Sequence, residues 1–266
     1  MNNLFDLSND VIVITGSCGQ LGKHYVNLFL TQGAKVFAID LIDNCIDDQL
    51  ILNSNFFYFK CDVTDPENLK LALDCCKINL GSPTALINNA AIDSPPSSTG
   101  LNTGYLSDYP KETWEKVLDV NISGTFYPCQ IFGSEMEKNK YGTIINISSI
   151  YGLVSPDQSI YDYKRKNGEV FFKPIAYSAS KSAIMNLTRY LAVYWAKVNV
   201  RVNTLVLSGI YNNQEKEFLD SYNKRIPIGR MASPEDFDGA LVFLVSKSSA
   251  YMTGTNLIID GGWTSI

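Results

Sequence analysis

Val11-Ile-Val-Ile-Thr15-Gly16-Ser-Cys-Gly19-Gln-Leu-Gly22 decides how the rest of the chain is read. A short β-branched run gives way to glycines, and apolar residues then recur at helical spacing at Leu21, Tyr25, Leu28 and Phe29. That pattern is strand, tight turn, helix. Glycine suits such a turn because it admits positive φ and lets a diphosphate approach the backbone, where the N–H groups and dipole of a helix N-terminus receive negative charge. A glycine fingerprint alone is a weak signal. A second strand, Lys35-Val-Phe-Ala-Ile-Asp40, follows at a fitting distance and ends in an acid 18 positions after Gly22 (40 − 22). A carboxylate there can take both hydroxyls of an adenosine ribose and repel a 2′-phosphate. At an effective dielectric of about 20, like charges ~4 Å apart cost on the order of 4 kcal/mol before screening. No arginine or lysine occupies Ser17, Cys18, Leu41 or Ile42 to offset that. NAD(H) is therefore expected over NADP(H), the alternative being that Asp40 is an ordinary strand-end turn residue.

Strand and helix signals alternate along the remaining chain. Strands are expected at 56–60, 84–88, 143–147, 199–206 and 257–259, and helices at 66–77, 111–138 with a bend at Pro128, 175–197 and 234–246. Ser94-Pro-Pro-Ser-Ser-Thr-Gly100 reads as a loop. The fold class is α/β: a single Rossmann-type doubly wound parallel sheet of about seven strands with helices on both faces. Residues 1–266 form one domain without a linker or internal repeat. Ligands bind beyond the carboxyl ends of such strands. Gly16, Asp40, Asp62, Asn88, Ser149 and Ser208 all fall at those ends, so separate motifs converge on one crevice.

Tyr177-Ser-Ala-Ser-Lys181 adds the chemistry. Residues at i and i+4 share a helix face, so a lysine ammonium can lower the pKa of a phenol that otherwise titrates near ~10 and prepare it for proton transfer. Ser149, 28 positions earlier (177 − 149), closes an Asn-Ile-Ser-Ser run at a strand end. Taken singly, each of these residues reads as an ordinary helix or strand-end side chain; their combination carries the weight.

Together these segments resemble the short-chain dehydrogenase/reductase family over essentially the whole chain. The resemblance implies a catalytic tetrad of Asn121, Ser149, Tyr177 and Lys181. It implies cofactor contacts from Gly16, Cys18, Gln20, Leu21 and Gly22 in the loop, from Asp40, and from Cys61, Asp62 and Val63. Asn89, Ala90, Ala91, Ile147, Tyr177, Lys181, Gly209 and Ile210 complete that set. Ser149 would bind the substrate oxygen and Tyr177 exchange its proton while hydride passes between the carbinol carbon and the nicotinamide. Lys181 would hold the nicotinamide ribose and acidify Tyr177, and Asn121 would support a water leading to Lys181. Pro227-Ile-Gly-Arg230, Ser233-Pro-Glu-Asp236 and Ile259-Asp-Gly-Gly-Trp263 also look like family segments. Ser155-Pro-Asp-Gln-Ser-Ile-Tyr161 and Gln214-Glu-Lys-Glu-Phe-Leu219 further resemble its bacterial flagellin-modification branch, which is linked to nonulosonic-acid sugar synthesis.

Three departures from the family pattern stand out. Gly19 comes one place early, with Gln20 at the expected glycine. Ser208-Gly209 replaces a Pro-Gly, with no threonine just beyond, so Ile210 would serve through its backbone. The interval from Ser149 to Tyr177 is about twice the usual family spacing. The resulting insertion, at about 156–174, carries Asp157, Tyr161, Tyr163, Lys164, Arg165, Lys166, Glu169 and Lys173. Its 164–173 stretch nets +3, four basic residues against one acidic. It is expected to form a wall or lid receiving a phosphate or carboxylate through Lys164 and Arg165, with Asp157, Tyr161 and Tyr151 touching substrate hydroxyls. The alternative is a solvated charged loop.

Composition sets the remaining limits. The chain carries a net charge of −5, so it offers no general attraction to nucleic acid. No apolar run approaches the ~20 residues of a membrane span and the N-terminus lacks a signal-peptide pattern, so a cytoplasmic protein is expected. The cysteines at 18, 45, 61, 75, 76 and 129 include no Cys-x-x-Cys and His24 is the sole histidine, so reduced packing thiols and no metal are expected. The expected partners are a small-molecule substrate and a second or further copy of the chain, as homodimer or homotetramer. Leu187, Tyr190, Leu191, Tyr194 and Trp195 could cover that interface. Function is narrowed to an NAD-dependent oxidoreductase interconverting a secondary alcohol and ketone, on a sugar or sugar-phosphate. A 3-oxoacyl carrier-protein reductase and a non-catalytic NAD sensor are the alternatives.

Overall fold

The computed structural model describes residues 3–43, 45–93 and 104–266; the 94–100 loop lies outside them. Seven strands form one parallel sheet in the order β3-β2-β1-β4-β5-β6-β7. They are β1 (Val11–Thr15), β2 (Lys35–Asp40), β3 (Phe56–Lys60), β4 (Ala85–Asn88), β5 (Gly142–Ser149), β6 (Val200–Leu207) and β7 (Asn256–Ile259). The reversal of strand order beside β1 opens a crevice at the carboxyl ends of β1 and β4.

Side-chain alternation explains why the sheet is covered on both faces. Ile12, Ile14, Val36, Ala38, Ile145 and Ile147 enter one core with α1 (Gln20–Thr31). Val11, Val13, Phe37, Ile39 and Ile144 enter the other, under α3 (Pro66–Asn79), which follows the short α2 (Asp48–Ile51). The first core is closed by the late helix at Asp238–Val245, and His24 Nε2 lies 2.7 Å from Asp238 Oδ1 across that contact.

The expected single helix over 111–138 is three pieces: α4 (Lys111–Leu118), a π turn at Asp119–Ser123 and α5 (Gly124–Asn139). Pro128 lies within α5, so the irregularity sits at Asn121 rather than at the proline. Thr125 Oγ1 donates to the Asn121 carbonyl at 2.8 Å inside that wider turn. Single π turns commonly mark functional positions in helices.

Within the insertion, Asp162–Lys166 forms α6, and α7 (Ile175–Trp195) carries Tyr177 and Lys181. A third apolar cluster joins Ile160, Tyr161 and Phe171 of the insertion to Phe218 and Tyr222 of α8 (Lys216–Asn223) and to Trp263. The insertion is thus packed down as a wall. The late helix at Asp238–Val245 is α9.

Candidate active site

The glycine turn meets the requirements of a diphosphate. Gly16 has φ +66°, and a Cβ at Gly22 would stand 2.1 Å from the Gly16 carbonyl oxygen, so only glycine allows this approach. Helix α1 opens at Gly19 without a side-chain cap, leaving its first-turn N–H groups at Gln20, Leu21 and Gly22 for an anion. The Ser17 hydroxyl is buried with no partner beside them. The next loop locks the turn: Thr15 Oγ1 accepts from the Asn89 and Ala90 N–H groups, and Asn89 Nδ2 donates to the Thr15 and Gly16 carbonyls. Gln20 Nε2 ties it to the Tyr211 carbonyl at 2.8 Å.

Asp40 sits at the end of β2, where an adenosine ribose would lie. Its Oδ2 accepts from the Cys18 N–H at 2.8 Å and its Oδ1 from the Ile42 N–H at 3.2 Å. Each carboxyl oxygen keeps a further acceptor position for a hydroxyl. Asp62 holds its own turn, accepting from the Thr64 N–H and Oγ1 at 2.8 and 2.7 Å, with Val63 buried beside it. Cys61 is buried and its thiol is pushed up to about 12 by burial. It behaves as a packing group. Ala91 is exposed at the start of the segment leading to Asp93.

One cysteine expectation is corrected. Cys18 and Cys45 pair as a disulfide, with Cα atoms 5.6 Å apart. Two strand-end loops 27 residues apart in sequence bring these thiols together, a proximity no local spacing pattern records. The other four cysteines are free.

Ser149, Tyr177, Tyr151 and Tyr161 line one cavity of about 280 Å³ at the carboxyl end of β5. Lys181 lies behind it, its Nζ 5.8 Å from the Tyr177 ring centre and donating to the Ile147 carbonyl at 3.0 Å. Helix α7 is held against the sheet by Ser148 Oγ, which donates to the Lys181 carbonyl at 2.8 Å. Gly152 lets the turn after β5 press on that helix, since a Cβ there would meet the Lys181 carbonyl at 2.7 Å. A buried polar chain adds a second tie: Asn88 Nδ2 donates to Asn146 Oδ1, and Asn146 Nδ2 donates to Thr188 Oγ1.

The electrostatics correct the expected acidification of Tyr177 by Lys181. Burial first, then the Asp93 charge, pushes the phenol above its usual value, while the Ser149 hydroxyl opposes the rise. Burial lowers Lys181 to about 8 against the smaller opposing effect of Asp93. Desolvation, the largest cause in each case, disfavours both charged forms. The Asn121 amide accepts from the Ile92 N–H at 2.7 Å and donates to the Ile92 carbonyl and to Ser180 Oγ. It thereby fixes the backbone immediately before Asp93.

At the far rim, a Cβ on Gly209 would meet the Tyr222 hydroxyl at 2.5 Å, and the Gly209 N–H donates to that oxygen at 2.8 Å. The Ile210 carbonyl accepts from Gln214 Nε2, which orients the segment beside the cavity.

The charged insertion does not form the expected anion site. Lys164 pairs with Glu215 at 3.1 Å and Glu169 at 3.2 Å, outside the cavity lining. Arg165 bonds Asp162 and the Gln158 and Phe171 carbonyls, and its guanidinium lies 4.7 Å from the Phe172 ring centre. Asp157 caps Ser159 and pairs with Arg225, so it anchors the wall rather than touching a substrate. Among the charged residues it is Asp93, which the expectation did not include, and Lys173, the end of the expected charge run, that line the cavity instead. The signals were an acid four places after Asn89 and the last lysine of the charge run.

A dinucleotide-binding α/β fold with a serine, tyrosine and lysine at the same sheet edge defines a class of nicotinamide-dependent oxidoreductases. Residues 19–264 match the family model described as Enoyl-(Acyl carrier protein) reductase. An NAD-dependent glycerol dehydrogenase of Listeria innocua is 30% identical over 266 residues, covering 98% of this chain and 96% of that relative. Post-translational flagellin modification protein A of Campylobacter coli is 29% identical over 265 residues, covering 97% and 99%. A crystal structure of a short chain dehydrogenase from Leptospira borgpetersenii with bound NAD+ matches with a TM-score of 0.86 at 30% identity, covering 99% of this chain and 96% of that one. The chain belongs to the short-chain dehydrogenase/reductase family, as an oxidoreductase of the type that interconverts secondary alcohols and ketones. Among the described residues no helix is long and apolar enough to cross a membrane.

Proposed function

We propose that this protein is an NAD-dependent dehydrogenase/reductase acting on the alcohol or ketone of a sugar-like substrate, with a place in surface-glycan or flagellin-glycan synthesis. The observation that carries this reading is the shared cavity of Ser149 and Tyr177, with Lys181 behind it and the glycine turn on the same sheet edge. NAD, when bound, supplies the hydride acceptor, and NADH the donor. Ser149 holds the substrate oxygen through its hydroxyl. Tyr177 gives its proton to a carbonyl oxygen in reduction and regains one from solvent; in oxidation it first yields its proton to solvent and then, as phenolate, takes the proton of the alcohol. Lys181 holds the ribose side of the site, its ammonium lowered to about 8 by burial. Asn121 keeps the loop before Asp93 in place. Asp40, with no cation at Ser17, Cys18, Leu41 or Ile42, supports NAD over NADP.

The glycerol dehydrogenase relative supports a polyhydroxylated substrate, and the flagellin-modification relative supports a place in flagellin modification. Self-association is supported by Tyr190, Val193 and Tyr194, which stand exposed on α7. Leu191 and Trp195 are core residues and contribute no such surface. The test is NADH absorbance with purified protein, NAD(H) and a panel of keto sugars, polyols, sugar phosphates and nucleotide sugars. Hydride transfer on polyol or sugar members is expected. NAD binding without transfer to any member would favour the sensor reading, and a preference for 3-oxoacyl thioesters would favour the carrier-protein reductase.

A further inference from the structure

We propose that Asp93 and Lys173 form a hydroxyl clamp that selects neutral substrates carrying a hydroxyl next to the reacting carbon, free polyols and sugars rather than their phosphates. This deepens the dehydrogenase reading and rests on it. Both side chains line the cavity that holds Ser149 and Tyr177. Lys173 Nζ lies 2.5 Å from Asp93 Oδ1 and 5.0 Å from the Tyr177 ring centre, so the pair stands beside the proton-transfer position. A hydroxyl both donates and accepts, and one group can satisfy the carboxylate and the ammonium together. A bare methyl in the same place would desolvate the pair and return no bond.

The clamp is built on anchored backbone. The Lys173 N–H donates to Gln158 Oε1 at 2.9 Å, and Gln158 Nε2 donates to the Lys173 carbonyl at 3.1 Å. Ile92, immediately before Asp93, has both backbone groups bonded to the Asn121 amide. Charge then decides the substrate class. Lys173 faces a carboxylate, and Lys164 and Arg165 are committed to Glu169, Glu215 and Asp162. A phosphate entering here meets Asp93 and finds its nearest cation neutralised, whereas a hydroxyl meets a complementary pair.

The experiment compares kcat/KM for NAD reduction with 2,3-butanediol, glycerol and threitol against 2-butanol and glycerol 3-phosphate, using wild type, Asp93→Asn and Lys173→Met. Wild type is expected to favour the diol over the mono-alcohol at least tenfold. Both variants should reduce that ratio about tenfold, chiefly through KM, while NAD affinity measured by calorimetry stays within about twofold of wild type. A ratio unchanged in both variants, or a wild-type preference for the phosphorylated probe, would overturn the clamp. NAD binding with no NADH formed from any alcohol would overturn the dehydrogenase reading itself, and the clamp with it.

Discussion

Replacing Gly22 with alanine probes the cofactor turn at its tightest point. The new Cβ would stand 2.1 Å from the Gly16 carbonyl oxygen and 2.7 Å from Ser17 Cα. Reaching an ordinary contact of 3.4 Å requires that carbonyl to retreat by 1.3 Å (3.4 − 2.1). The obstacle is backbone, so no rotamer relieves it. A turn displaced this far loses its aim at the diphosphate. Forfeiting two charge-assisted bonds of ~1.5 kcal/mol each removes about 3 kcal/mol, close to a 100-fold rise in Kd. Gly239→Ala is the control: it lies on α9 away from the turn, and a Cβ there would meet nothing within 4 Å. Isothermal titration with NAD should show the large loss in Gly22→Ala and less than about a threefold change in Gly239→Ala. Equal affinities in the two variants would refute the steric account and detach this turn from cofactor binding.

Three further outcomes follow from the same geometry. Lys181 is depressed from 10.5 to about 8, so its burial destabilises the fold fully below pH 8, and that cost is relieved as pH rises toward the unfolded value. Between pH 7.5 and 9.5 wild type should gain about 2 kcal/mol relative to Lys181→Met, read as the change in their urea stability difference; an unchanged difference contradicts the burial of the ammonium. Gly152→Ala drives a Cβ to 2.7 Å from the Lys181 carbonyl, and overpacking of this kind costs ~1–3 kcal/mol. It should lower kcat more than it alters NAD affinity, whereas wild-type kinetics would show that the turn does not position α7. Denatured without reductant, the protein should expose four thiols to a disulfide-exchange reagent and six after reduction; six before reduction would exclude the Cys18–Cys45 pair.

Most strands were legible as short β-branched or aromatic runs bounded by turn residues, and the glycine turn announced the first crossover. Tyr177, Lys181 and Ser149 stood out through their combination with the glycine turn and through the family resemblance, since the Tyr-x-x-x-Lys spacing by itself is a weak signal. What escaped depends on partners far away in sequence. The helix break lies at Asn121, where the side chain turns to Ile92, 29 residues earlier. Pro128 carried the local signal for a bend and sits inside a continuous helix. The insertion misled for a related reason: its lysines read as free charge, but Lys164 is neutralised by Glu215, 51 residues later, and Asp157 by Arg225. Desolvation was equally invisible. An i, i+4 lysine suggests an acidified tyrosine on an exposed helix, and the third cluster and sheet edge bury both groups enough to reverse that shift.

Tyr177→Phe isolates the hydroxyl on which the proposed proton transfer depends. The measurement is NADH absorbance with 2,3-butanediol and glycerol, run beside calorimetric NAD binding on the same preparations. Loss of at least about a thousandfold in kcat with NAD affinity within about threefold of wild type is the predicted result. Turnover within tenfold of wild type would contradict it.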